Sequence, residues 1–411
     1  MTERTKEVFE KYGIRKNKAQ KARFREFATQ YAMDEGYAVN VEKNKKAKNI
    51  VVGNPKDAKV IYTAHYDTPA GTPFPNLVIP KCIPLYILYQ ILICVMLYTV
   101  PVLMMTLIPK IITSNGGSGV LSLAFIFGGY TLMLIEIYLL INGPANKNNR
   151  NDNTSGVSVL FELMKAMPEE KRDSVAFIFF DLEERGTRGS AEYRKKHRRW
   201  ANKIPVINFD CVGDGNNILV VVGKKAQRLE SSLCAAFVGN DMFSCEVASK
   251  GVFYPSDQRN FDLGIGVGAF NKTKSGILYA DKIHTKRDLV CNDENISYLV
   301  ECSIRLIETL DLTTKVAKQS HFSKQIELAK TMLESETHNI EEAPTEESSA
   351  LIQECVDEEA AKNEPLTEAP AEEVSEPKAE SVSIADEAEP ETEEENIPDN
   401  APEAEAKESE E

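Results

Sequence analysis

Residues 59–68 read KVIYTAHYDT, an apolar, β-rich run that ends in His65, Tyr66 and Asp67. A strand buried on both faces reads as a near-continuous apolar run, and polar groups at its carboxyl end are how a sheet delivers ligands. The same grammar returns downstream: VAFIFF (175–180) ends in Asp181-Leu182-Glu183-Glu184, and the run 204–209 ends in Asp210. Residues 37–41, 49–52 and 218–222 are further strand-like runs. Between them, Phe24, Phe27, Ala28 and Tyr31 have helical spacing within 16–35, and Asn153, Thr154 and Ser155 offer N-cap chemistry for an amphipathic helix over 157–167. Strands alternating with helices predict an α/β fold, a three-layer α/β/α sandwich with a mostly parallel mixed central sheet.

One segment does not fit a sandwich. No charge occurs between Lys81 and Lys110, and 83–108 (IPLYILYQILICVMLYTVPVLMMTLI) exceeds the roughly 20 apolar residues that cross a bilayer. A second run, 120–141, is interrupted only by Glu136, and a Ser-, Gly- and Asn-containing link joins the two. They read as a transmembrane helical hairpin that enters and leaves on one side. Lys81, Lys147 and Arg150 flank its outer ends while Lys110 alone sits near the loop, which places both termini and the catalytic domain in the cytoplasm by the positive-inside rule. The charged start, MTERTKEVFEKYGIRKNKAQK, has no apolar leader stretch, in keeping with that orientation. Glu136 reads as a snorkelling or locally partnered carboxylate.

The chain has 411 residues and a formal net charge of −15, but 341–411 holds 27 acidic residues against three lysines. A tail of Glu, Ala, Pro and Ser with almost no aromatic residues is expected to be disordered, a spacer or a protein-binding segment. The expected organisation is therefore 1–80, the first part of a catalytic domain; 81–147, the hairpin; 148–335, the remainder; and 336–411, the tail. Eight scattered cysteines without a CxxC pair argue against a disulfide scaffold. The basic runs 194–199 and 43–48 lack interleaved aromatic platforms, so they read as solvated or lipid-facing surface and no nucleic-acid partner is expected.

The strand ends carry the chemistry. Imidazole and carboxylate are the ligand types of hydrolytic zinc sites, and two metals need about five such groups with one carboxylate shared. His65, Asp152, Glu184, Asp210 and His284 supply five. Each alone is ordinary: a core histidine, an N-cap, a solvated turn, a strand-end cap, a surface histidine. Together, at successive strand ends of one sheet in a chain with only five histidines, they read as a metal-ligand set.

In chain order, AHYDT (64–68), NDNTSG (151–156), FFDLEERGTRGS (179–190), INFDCVGDG (207–215), SDQRNF (256–261) and IHT (283–285) resemble metallopeptidase family 28. That family comprises zinc aminopeptidases together with glutamate carboxypeptidase II and glutaminyl cyclase. The resemblance implies one zinc on His65, Asp152 and Asp210 and another on Asp152, Glu184 and His284, with Asp152 bridging. It also implies that Asp67 orients the His65 ring and that Glu183 is the general base, taking a proton from a metal-bridging water and passing it to the leaving amine. Cobalt or manganese would suit similar ligands. The sequence departs from its relatives in two places. Between His65 and Asp152 stand 86 residues that contain the whole hairpin, and SDQRNF lacks a histidine that many relatives carry after the aspartate. The implied activity is a membrane-anchored aminopeptidase acting on peptides or small amino-acid conjugates. The alternatives are a single-zinc, glutaminyl-cyclase-like acyltransferase and an inactive peptidase-fold membrane scaffold.

Overall fold

The computed structural model describes residues 1–311, so the expected acidic tail lies outside the described residues. Helices α1 (Glu3–Lys11) and α2 (Lys18–Asp34) lead into β1 (Val39–Asn44), β2 (Ala47–Gly53) and β3 (Val60–His65). Two long helices follow, α3 (Ile83–Ser114) and α4 (Gly119–Asn142), then α5 (Gly156–Ala166), β4 (Val175–Phe180), α6 (Arg188–Lys196), β5 (Val206–Phe209) and β6 (Asn217–Val222). The remainder is α7 (Glu230–Ala236), β7 (Ser244–Ala248), β8 (Gly264–Lys272), β9 (Leu278–Tyr279) and a final helix, α8, over residues 293–311.

The strands form one sheet in the order β1-β2-β4-β3-β5-β8-β6-β7, with β9 beside β8. The four central strands β4, β3, β5 and β8 run parallel, while β1, β2 and β6 add antiparallel neighbours. Strands on both sides of the long insertion therefore pair directly, β3 between β4 and β5. Alternate residues build two cores. Val60, Tyr62, Ala64, Val175, Phe177 and Phe179 face one side with Phe24 of α2 and Phe161 of α5. Ile61, Ala176, Ile178 and Phe180 face the other with Tyr193 of α6. Two apolar faces covered by helices give the expected three layers.

Local chemistry sets the element boundaries. Asn17 caps α2, accepting from Gln20 N (2.8 Å) while Gln20 Oε1 accepts from Asn17 N (3.0 Å), a reciprocal capping box. The basic run 43–48 is the tight turn of the β1–β2 hairpin, with Lys45 at φ 46°, and α6 ends at Lys196, before the basic run is complete. Strand β8 is not legible as one before folding, because GIGVGAFNK is too rich in glycine to read as a strand, although it lies inside the sheet between β5 and β6.

Helices α3 and α4 are long and apolar enough to cross a membrane, and only 6% and 11% of their most apolar windows are buried. They pack on each other along small residues and prolines: Pro101, Pro109, Ser122 and Gly129 are the buried positions. Thr99, Thr106 and Thr113 donate to the carbonyls of Val95, Val102 and Pro109, so these hydroxyls are satisfied within their own helix. At the base, the two connecting segments are zipped together: Gly71 N donates to Pro144 O (2.9 Å), Asn146 N donates to Pro69 O (2.9 Å), and Ala70 bridges Ala145.

Candidate metal centre

The five sequence-derived ligands converge at the carboxyl end of the parallel strands. His65 ends β3, Asp210 follows β5, Glu184 follows β4, and Asp152 stands just before α5. His65 Nε2 lies 3.4 Å from Asp152 Oδ1 and 3.6 Å from Asp210 Oδ1. The other Asp152 oxygen lies 3.1 Å from His284 Nε2, which is also 3.5 Å from Glu184 Oε2. Two donor groups thus form, His65–Asp152–Asp210 and Asp152–Glu184–His284, and they share Asp152. A third grouping joins His65, Glu183 and Glu184, whose ligand atoms lie within 4.8 Å of one another.

Each side chain is held by neighbours that the sequence did not advertise. Asp288 accepts from Asn151 N (2.8 Å) and Asp152 N (3.0 Å), fixing the turn that carries Asp152. Asn153, joined to Asp152 by a cis peptide, donates to Phe209 O (2.9 Å) and accepts from Gly156 N (3.1 Å), tethering the turn to β5. A Cβ on Gly156 would run into Phe209 O and Asn153 Oδ1, which is the close approach that glycine permits. Tyr254 donates to Asp210 O (2.5 Å). Arg15 is fully buried and donates to Tyr66 O (2.5 Å) and Thr154 Oγ1 (3.0 Å), setting a cation behind the carboxylates. Burial lowers its pKa to about 10 against the pull of Asp67 and Asp152, so it stays charged at neutral pH.

The Asp67 carboxylate takes a task the motif did not specify. It stands 3.6 Å from His65 Nδ1, beyond hydrogen-bond range, while the Asp67 carbonyl lies 3.2 Å from that nitrogen. Its oxygens accept instead from Glu183 N (2.9 Å) and Glu184 N (3.3 Å), so Asp67 positions the two glutamates that follow β4. Three left-handed, non-glycine residues sit at the same site, Leu182 (φ 60°), Cys211 (φ 52°) and His284 (φ 63°). Such conformations cost about 1–3 kcal/mol each and persist only where the surroundings impose them.

The electrostatics call for a cation. With the Asp67 carbonyl facing Nδ1, a neutral His65 turns its Nε2 lone pair towards two carboxylates. Burial alone would lower the His65 pKa, but Asp210, Asp152 and Asp67 outweigh it and hold it well above the usual imidazole value. Burial pushes Glu183 and Glu184 well above ordinary carboxylates, helped by Asp257 and Asp210 around Glu183 and by Asp152 beside Glu184. Asp152 is held low despite its burial by His284 and His65. Glu184 Oε1 is buried without a hydrogen-bond partner. Crowded carboxylates, lone pairs aimed inward and an orphaned buried oxygen fit a bound divalent cation, and the His/Asp/Glu donors suit zinc.

The comparisons with known proteins take in most of these ligands. Residues 145–302 match the model of peptidase family M28. The match contains Asp152, Glu183, Glu184, Asp210 and His284 and stops short of His65, which precedes the hairpin. The expected resemblance to family 28 holds over that stretch. Among solved structures, the glutaminyl cyclase of Porphyromonas gingivalis is 16% identical, covering 74% of this chain and 95% of that one, with a TM-score of 0.47. The LapA aminopeptidase of Legionella pneumophila is 14% identical, covering 75% and 70%, with a TM-score of 0.44. A Zn-dependent exopeptidase of Parabacteroides distasonis is 14% identical, covering 74% and 95%, with a TM-score of 0.43. No curated protein matches the chain.

Proposed function

We propose that the chain is a membrane-anchored, cytoplasm-facing dizinc aminopeptidase. The observation that carries this reading is the sharing of Asp152 between two donor groups, with Glu183 beside both. His65, Asp152 and Asp210 would hold one zinc and Asp152, Glu184 and His284 the other. Zinc bound there would supply Lewis acidity and lower the pKa of a bound water. Glu183 is the residue left to move protons: its backbone is fixed by Asp67, and its raised pKa suits a group that accepts a proton from water and returns it to the leaving amine. Water adds to the peptide carbonyl carbon, the C–N bond breaks, and a carboxylate and an amine leave. The two apolar helices support the anchor, and the position of Lys81, Lys147 and Arg150 supports the cytoplasmic side.

The test begins with the metal. Purified protein should carry two zinc ions per chain by elemental analysis, and Glu184→Ala should carry one or none. Aminoacyl amides should then be cleaved by the wild type and, at a rate about 10²–10⁴-fold lower, by Glu183→Gln with its metal content intact. A single zinc in the wild type would favour the glutaminyl-cyclase-like acyltransferase. No zinc after reloading would refute the peptidase and leave the scaffold.

A further inference from the structure

At the root of the hairpin, a cavity of about 270 Å³ lies between the apolar helices and the loop that carries His284. Tyr89, Ile93 and Leu97 of α3, Leu140 of α4 and Phe74 of the connecting segment line it, and His284 is part of its wall. Tyr89, Ile93 and Leu97 are four residues apart, so they form one stripe about 12 Å long on one helix face. On neighbouring turns Leu88 (61%), Leu92 (60%) and Val95 (58%) are exposed on the faces that a bilayer would cover. The stripe therefore runs from the apolar surroundings of the helices to a histidine whose Nε2 is 3.1 Å from Asp152.

The connecting segment that lines this cavity also holds the histidine. Thr72 N donates to His284 O (2.8 Å), Asn76 N to Ile283 O (3.3 Å), and Tyr89 on α3 donates to Pro75 O (2.7 Å). A soluble peptide would not need a metal-ligand histidine placed against the root of a membrane helix. We propose that the substrates are amphiphilic amides, with a long apolar chain lying along the Tyr89–Ile93–Leu97 stripe and the scissile amide at the carboxylate cluster. This rests on the hydrolase reading above and adds the substrate class: water and the amide give a carboxylate and a long-chain amine, which leaves through the apolar side.

The experiment uses the full-length protein in lipid nanodiscs with leucyl butyl-, octyl- and dodecylamide. The expected kcat/KM rises at least tenfold from butyl to dodecyl. In Ile93→Trp and Leu97→Trp, which fill the cavity, that rise disappears. In Leu92→Trp, on the exposed face, the rise is kept, which separates the cavity from simple partitioning into lipid. Independently of any turnover, dodecylamine should slow maleimide labelling of Cys94, another cavity residue, when read by mass spectrometry. A flat series with butylamide cleaved would overturn this inference and leave the aminopeptidase intact. Absence of any cleavage by the zinc-loaded protein would overturn the aminopeptidase. Labelling of Cys94 indifferent to dodecylamine would then overturn the cavity assignment as well.

Discussion

His65, Asp152 and Asp210 stand at strand ends or on a turn tied to β5, with side chains 1%, 5% and 10% exposed, whereas His284 hangs from a loop and is 21% exposed. The deep half of the centre is positioned by the sheet itself. In the other, shallow half, Glu184 is still held at the end of β4, but the loop that carries His284 is positioned by the insertion: Thr72 from the entering segment donates to His284 O, and Asn146 and Asn148 from the leaving segment donate to Thr285 O (3.0 Å) and Lys286 O (2.7 Å). The contrast shows how a hairpin can interrupt a catalytic domain without dismantling it. Its two roots pair with each other and brace the loop that carries His284.

On the proposed dizinc reading, stripping the metal should produce the largest change, because both halves would lose a cation that offsets their carboxylates. At a thousandfold excess over Kd, one bound metal stabilises a fold by about 4 kcal/mol, so chelation should lower the melting temperature sharply. The sign of the pH dependence follows from the raised folded-state pKa values of Glu183 and Glu184. At these two glutamates the stripped fold binds more protons than its unfolded chain, so their contribution to stability is fullest below the ordinary Glu value of about 4.3 and is lost as pH rises through the raised values. The melting-temperature gap between loaded and stripped protein should therefore widen with pH. A gap that narrows would mean the carboxylates are not the groups the metal neutralises.

Removing one imidazole from each half sharpens the comparison. His65→Ala should lower activity by more than the roughly 10–100-fold typical of losing an outer partner of a metal ligand, and should leave Asp152 and Asp210 facing each other in a nearly sealed space. His284→Ala should also abolish useful activity yet keep the deep metal, read as one zinc per chain. Equal metal loss in the two variants would erase the distinction between the halves. Asp288→Asn, which weakens the acceptor for Asn151 N and Asp152 N, should lower metal affinity about 10–100-fold in both groups at once, since Asp152 serves both.

Residue chemistry made the ligands readable, and only the folded chain made their supports readable. His65, Asp152, Glu184 and Asp210 follow or precede regular elements whose apolar pattern is plain in the sequence, so their convergence follows once the strands are parallel. Asp288 lies four residues past His284 in a stretch with no periodic pattern, and Arg15 lies far upstream in a charged segment. Nothing local marks either as buried against the centre, because the partners that tie them to it lie far away in sequence, Asn151 N and Asp152 N for Asp288 and Tyr66 O and Thr154 Oγ1 for Arg15. The role of Asp67 was half legible: the His-x-Asp spacing placed it beside His65, while its bonds to the Glu183 and Glu184 amides depend on how β3 and β4 pair. The hairpin was legible as a pair of apolar helices, and its grip on the His284 loop was not, since that grip is made by Thr72, Asn146 and Asn148, polar residues typical of any connection.

That grip can be loosened without touching a ligand or a strand. Asn146 is 3% exposed, and its Nδ2 donates to both Asn148 O (2.5 Å) and Thr285 O (3.0 Å). Asn146→Ala leaves the buried Thr285 carbonyl and the half-buried Asn148 carbonyl without that donor, at a cost of about 1 kcal/mol at the low end for such groups. If the insertion positions only the shallow half, the cost should fall on His284: affinity for the second zinc should drop about fivefold while the first is unchanged, as read by competition with a zinc chelator. A matching loss at the first zinc would mean that the loop and the Asp152 turn move as one body. The distinction between a sheet-built and an insertion-built half would then describe how the residues are anchored and not how they bind.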